Sequence, residues 1–364
     1  MPVDREPSTD LGALRKALLG WYRAHRRDLP WRRTRDPYAI WLSETMLQQT
    51  RVETVVPYYE RFLERFPDVH ELARAELDEV LSEWAGLGYY HRARSLHKAA
   101  LRVSETHGGD FPETASELRE LPGVGAYTAG AIAAIAFDRP EAAVDGNVIR
   151  VLTRVLGIRQ SVTRPEVLRE IHERAAEFAK GEAPADWCQA VMELGALVCA
   201  PRAPRCLACP VTEWCDAYRV GDAAALPNKP KKAKARSVEA AAALVLRRGK
   251  ALAVRRPEGG LLGGLWDLPG GDLEPGESAP SGLARALAEG TGLSLAAEPI
   301  SCGSVTHVFT HRRLRLHVFR AEAAPGRTSL RNFAAHRWIS PERLRALPHA
   351  RLTGKAFRLL GLDT

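Results

Sequence analysis

The sequence predicts a multidomain protein with an all-α region over residues 1–220, a basic linker at 221–237 and an α+β module over 238–364. Three observations carry this division. Apolar residues recur at helical spacing through most of the first 200 positions. Four cysteines then fall within residues 199–215. After a Pro-broken run of lysines the pattern changes to short β runs punctuated by glycines. A length of 364 residues, 45% hydrophobic and 26% charged, allows two or three domains with a sizeable core.

Net charge is +8, which points to a polyanionic partner, yet Lys+Arg number 29 against 32 Asp+Glu over 1–220 and 23 against 12 over 221–364. The excess therefore lies outside the helical region. A nucleic-acid contact there has to rest on local clusters such as Arg23, Arg26, Arg27, Arg32, Arg33 and Arg35, which fit a solvated helix end equally well. Residues 1–10 are polar and no apolar run reaches membrane length, so no membrane association and a cytoplasmic, nucleoid-associated location are expected.

Leu11, Leu14, Leu18 and Trp21 or Tyr22 mark a first helix over 11–27. A second runs from Ala39 to Thr50. On it Ile40, Glu44 and Leu47 share a face, so the carboxyl is partly buried and its pKa raised, as a proton-donating acid requires. Taken alone, Glu44 fits an exposed helix glutamate better. Periodicity continues through 52–66 and 72–84, and Gly86-Leu87-Gly88-Tyr89-Tyr90-His91-Arg92 then breaks it. That break reads either as a DNA contact, with tyrosine wedging between bases, or as a helix C-cap followed by core tyrosines.

The stretch from Leu118 to Leu152 organises the region. Gly123 and Gly125 in Leu121-Pro122-Gly123-Val124-Gly125 allow a turn whose amides approach a phosphate closely. The small residues from Thr128 to Ala136 suit a tightly packed helix. Asp145, in an apolar setting before Gly146-Asn147, reads as a pocket carboxylate or as a plain N-cap. Cys199, Cys206, Cys209 and Cys215 follow as C-x6-C-x2-C-x5-C, a metal site that is either structural zinc or an iron–sulfur cluster. Cys188 and Cys302 read as ordinary buried thiols. In the last module, β runs at 241–246 and 252–254, a helix near 281–288 and strands at 305–309 and 314–319 are expected.

The segment from Leu118 to Leu152 resembles the helix-hairpin-helix plus Gly/Pro-Asp signature of the base-excision DNA glycosylases, with the hairpin at about 118–136. The endonuclease III branch carries a nucleophilic lysine where this chain has Tyr127, and tyrosine there resembles the adenine DNA glycosylase family. The string Trp41-Leu42-Ser43-Glu44-Thr45-Met46-Leu47-Gln48-Gln49-Thr50 is very similar to the family segment bearing the catalytic glutamate. The cysteine spacing resembles the [4Fe–4S] loop of the same families. Gly271-x5-Glu277-x7-Arg285 resembles the start of a Nudix signature, but Ala286 and Gly290 replace two of its metal-binding glutamates, as in the C-terminal domain of the family.

The resemblance implies a monofunctional glycosylase that excises adenine opposite 8-oxoguanine or guanine by base flipping and N-glycosidic hydrolysis. It implies catalytic roles for Glu44, Asp145, Tyr127 and Asn147. Arg32 and Gln189 would hold the base, Gln48 and Tyr89 would form a wedge-and-fill pair beside Gln49, and Gly123 and Gly125 would meet DNA. It further implies a [4Fe–4S] cluster on Cys199, Cys206, Cys209 and Cys215, and opposite-base recognition by Phe309, Thr310 and His311. The partner is double-stranded DNA carrying A:8-oxoguanine or A:G, bound by a monomer. The sequence departs from the family at Ile149, where a basic residue can occur, and at Thr310, where serine is usual. An endonuclease III-like lyase lacks support without the lysine, a Nudix pyrophosphohydrolase without its glutamates. A non-catalytic scaffold has no use for Glu44 and Asp145 together.

Overall fold

The computed structural model describes residues 10–230, 236–258, 262–309 and 312–362. The chain forms two compact units, Met1–Arg74 with Ser95–Lys232 and Ala75–Arg94 with Ala233–Thr364. Its helices in order are α1 (Leu11–His25), α2 (Pro37–Leu47), α3 (Val52–Arg65), α4 (Val69–Arg74), α5 (Leu77–Glu83), α6 (His91–His107), α7 (Ala115–Leu118), α8 (Ala126–Phe137), α9 (Gly146–Val155), α10 (Pro165–Ala179), α11 (Pro184–Leu197) and α12 (Asp216–Val220). None of the described helices is long and apolar enough to cross a membrane.

Two helices are apolar nearly all round, and both lie in the middle of the first unit, as that pattern requires. Every side chain of α2 from Tyr38 to Met46 is buried. The helix starts where Asp36 accepts the Tyr38 amide at 3.0 Å and Pro37 supplies a pre-set φ at the first helical position. α8 buries Thr128 through Ile135. Its small residues are a packing requirement, since a Cβ added at Gly130 would collide with the Ala142 carbonyl. A further core joins α1, α9, α10 and α11 through Leu18, Tyr22, Val151, Ile171, Trp187 and Leu194.

Several boundaries differ from the sequence expectation. The second helix stops at Leu47 because Gln48 leaves helical geometry and Gln49 turns left-handed, with φ +59°. The 72–84 pattern is two short helices, α4 and α5. Residues 75–94 belong to the second unit, where the Tyr90 hydroxyl donates to the His349 carbonyl at 2.7 Å and Arg255 pairs with Asp78 at 3.5 Å. Residues 226–228 lie against the first unit instead of spanning freely. Arg154 donates to the Leu226 carbonyl at 3.0 Å, and Val162 donates to that of Asn228 at 3.1 Å. Residues 231–235 of the basic linker lie outside the described residues.

The second unit is built on one sheet comprising β1 (Arg236–Arg247), β2 (Lys250–Arg255), β3 (Trp266–Asp267), β4 (Gly270–Asp272), β5 (Ile300–Val308), β6 (Arg312–Glu322) and β7 (Ala335–Ile339). The order is β3-β2-β1-β6-β5, with β4 added to β1 and β7 to β2; β1 and β6 run parallel. Strand periodicity sorts β1 between two cores. Ala240, Ala242 and Leu244 face a layer containing α14 (Arg351–Leu359), while Ala241, Ala243 and Val245 face α13 (Ala279–Thr291). The sheet is thus covered on both sides, the Nudix-like arrangement.

Candidate active site

A cavity of about 760 Å³ in the first unit gathers side chains from α2, α8, α11, the Pro30–Arg32 turn and the start of α9. Glu44 enters from the third turn of α2 and is 5% exposed. Tyr127, at the start of α8, donates its hydroxyl to Glu44 Oε2 at 2.6 Å and lies 3.4 Å from Met192 Sδ on α11. Burial pushes the Glu44 carboxyl up to about 7. The Tyr127 bond opposes this, nearby Asp145 reinforces it, and Arg32 opposes it. Burial likewise raises the Tyr127 hydroxyl, which stays protonated and able only to donate to a carboxylate.

Asp145 caps α9. Its Oδ1 accepts the amides of Asn147 and Val148 at 2.8 Å each, and its Oδ2 accepts Asn147 Nδ2 at 2.7 Å. The carboxylate is therefore held in place by donors on both oxygens at the N-terminus of a helix. Asn147 is held in turn by Arg150, whose Nη2 donates to Asn147 Oδ1 at 2.8 Å and to the Gly195 carbonyl at 2.7 Å. Asp145 is thus placed both as the N-cap of α9 and in the lining of the cavity.

Arg32 and Gln189 line the cavity, but Arg32 is already committed. It donates two bonds of 2.8 Å to Glu193, which also receives Arg27 at 2.6–3.0 Å. Burial would raise the Glu193 carboxyl, but the bonds from Arg32 and Arg27 overcome it and hold it at about 2. Glu193, 1% exposed, is a cavity residue that sequence reasoning missed. Its signal was a lone acid in the apolar run Val191–Leu197, four residues after Gln189.

The hairpin needs glycine at Gly123, where φ is +78° and a Cβ would strike Ser95. Gly125 caps α8 with open space around it, and both line the cavity. Gln48 does not project as expected of a gap filler. Its Nε2 donates to Thr128 Oγ1 at 3.2 Å, whereas neighbouring Gln49 is exposed. Tyr89 is 38% exposed with φ +49°, a strained conformation for a bulky residue. In the second unit Phe309 packs partly against the core beneath α14 and carries Arg312 over its ring at 5.6 Å. It also lines a 370 Å³ cavity with Tyr89 and His307. Thr310 and His311 lie outside the described residues.

Cys199, Cys206, Cys209 and Cys215 line one small cavity, and none is in a disulfide. Arg154 Nη1 stands 3.1 Å from Cys199 Sγ. Among the described residues no three His, Cys, Asp or Glu side chains are placed to hold a single metal ion.

A family signature described as the HhH-GPD superfamily base excision DNA repair protein matches residues 42–177, and a NUDIX domain matches 241–359. A thermostable thymine-DNA glycosylase structure superposes over 58% of this chain and 97% of its own, at 29% identity and a TM-score of 0.53. The fold and the carboxylate pocket define a helix-hairpin-helix DNA glycosylase of base excision repair. Adenine DNA glycosylase of Rattus norvegicus is 38% identical over 96% of this chain and 78% of its own length. That of Homo sapiens is 37% identical over 96% and 74%. The chain belongs to the adenine DNA glycosylase family.

Proposed function

We propose that the protein removes adenine mispaired with 8-oxoguanine or guanine from duplex DNA, by flipping the nucleotide into the 760 Å³ cavity and hydrolysing its N-glycosidic bond. The observation that carries this is the pair of carboxyls with opposite environments. Glu44, raised to about 7, is protonated in a large fraction of molecules near neutral pH and gives its proton to a ring nitrogen of the leaving adenine. As the bond breaks, positive charge develops on the sugar, and anionic Asp145, fixed by Asn147 and the α9 amides, stabilises it. Water then adds at the sugar carbon and loses a proton, leaving an abasic site. Gln189 and the Arg32–Glu193 pair present donors and an acceptor to the base edge. Gln49 and Tyr89, exposed and left-handed, suit filling the vacated stack.

The loop chemistry fits a [4Fe–4S] cluster. Four soft sulfur donors face one cavity, and the Arg154 guanidinium beside Cys199 compensates the negative charge of four thiolates. Bound there by Cys199, Cys206, Cys209 and Cys215, the cluster would tie the loop to the chain leaving α11. The second unit reads the opposite base through Phe309 with Thr310 and His311, and the protein acts as a cytoplasmic monomer. Single-turnover assays on duplexes carrying A:8-oxoguanine, A:G and thymine glycol, with and without alkali, test the reading. Release of adenine with strand breaks only after alkali is expected. Preferred cleavage at thymine glycol would overturn it. One zinc and no iron in the purified protein would overturn the cluster.

A further inference from the structure

Glu44 and Gln48 lie one helical turn apart on the same side of α2, and Tyr127 and Thr128 are neighbours in the first turn of α8. The two helices are therefore joined by two adjacent rungs, Tyr127 to Glu44 at 2.6 Å and Gln48 to Thr128 at 3.2 Å. Thr128 is only 2% exposed, so its hydroxyl sits where water does not substitute for the lost partner. Gln48 is also the residue at which α2 stops, just before left-handed Gln49. Without this bond the point at which α2 ends is held less firmly against α8, and Glu44 lies in the same final turn of α2.

We infer that Gln48 and Thr128 are positioning residues for the glycosylase reaction, a brace that fixes the end of α2 against α8 and so sets the contact between Glu44 and the Tyr127 hydroxyl. Gln48 is thereby assigned to the catalytic apparatus instead of to the duplex gap, which falls to Gln49. The inference rests on Glu44 as the proton donor. The groups facing Glu44 are Tyr127 from α8, Asp145 from the start of α9, Arg32 from the Pro30–Arg32 turn and Cys188 from α11. Of these, only Tyr127 adjoins the brace. Lengthening its bond removes an interaction that favours the ionised carboxyl, which moves the titration of Glu44 upward.

The test is the pH profile of single-turnover adenine release by Thr128→Val, Thr128→Ser and Gln48→Met, alongside duplex affinity and the fluorescence of 2-aminopurine placed as the flipped base. Thr128→Val and Gln48→Met are expected to lower the maximal rate about tenfold and to move the alkaline limb to higher pH. Affinity and the flipping signal should stay within twofold of wild type, and Thr128→Ser should restore both rate and limb. A wild-type rate and limb in both variants would overturn the brace. So would loss of affinity and flipping signal in Gln48→Met with normal release from the bound complex, the signature of a gap filler. If Thr128→Val does not fold, Gln48→Met decides alone. A wild-type profile with no alkaline limb would overturn Glu44 as the acid and the brace with it, whereas a wild-type limb that neither variant moves would overturn the brace alone.

Discussion

Replacing Gly195 by alanine adds one methyl group where two helices touch. Gly195 lies on α11 against the start of α9, and a Cβ built on it would stand 2.6 Å from Asn147 Cβ and 3.2 Å from Asn147 Cα. Carbon atoms pack at roughly 3.5–4.0 Å, so Asn147 must retreat by about 1 Å. Asn147 supplies two of the three donors that hold Asp145, and its own anchor Arg150 also binds the Gly195 carbonyl, so the carboxylate moves with it. A displacement of about 1 Å in a reacting group costs on the order of a hundredfold in rate. Overpacking at a helix contact adds a stability loss of about 1–3 kcal/mol. Single-turnover adenine release by Gly195→Ala should therefore fall about a hundredfold, measured below its melting temperature and with saturating enzyme. Gly146→Ala, whose Cβ would meet no atom within 4 Å, should leave the stability of the free protein near wild type. A Gly195→Ala enzyme that releases adenine at the wild-type rate would show that the approach of α11 to α9 does not place Asp145.

Three further outcomes follow from the same geometry. Glu44 titrates near 7 in the fold against 4.5 in the open chain, so its burial is tolerated below about pH 4.5 and becomes increasingly costly as pH rises to 7. Glu44→Gln should abolish adenine release yet raise stability by up to about 3 kcal/mol above pH 7, with little gain at pH 4 in urea titrations; equal stability at both pH values would contradict the raised carboxyl. Glu193 is the reverse case, with a folded value near 2, so its contribution is complete above about pH 4.5 and disappears as pH falls towards 2. Glu193→Gln leaves Arg27 and Arg32 without their counter-charge and should cost about 3–5 kcal/mol at pH 7, narrowing at pH 3. Finally, residues 1–228 contain only Lys16, Lys98 and Lys180, and none of them lines the active-site cavity. Borohydride should then trap little covalent protein–DNA adduct, and efficient trapping that survives replacement of all three lysines would implicate the N-terminal amine and refute hydrolysis without a Schiff base.

Much of this protein was legible in the sequence because its chemistry is carried by short local patterns. The glycine turn before Tyr127, the Asp145-Gly146-Asn147 cap and the four-cysteine loop each depend on neighbours within a few residues, and local spacing specifies such motifs directly. The change from helical to strand period likewise announced a second module at 238, since periodicity records which face of each element is buried. The partners of those motifs were decided by the tertiary structure. Glu193 meets Arg27 and Arg32 across more than 160 positions, and Thr128 meets Gln48 across 80. The assignment of 75–94 to the second unit depends on contacts such as Tyr90 with His349. The adjacent glutamines Gln48 and Gln49 show the limit most directly. Gln48 and Gln49 are chemically identical and adjacent, and only the end of α2, which turns one inward to Thr128 and the other outward at positive φ, separates their surroundings. Sequence fixes what a side chain can do, whereas the packing of distant segments, driven by burial that no local window records, decides what it faces.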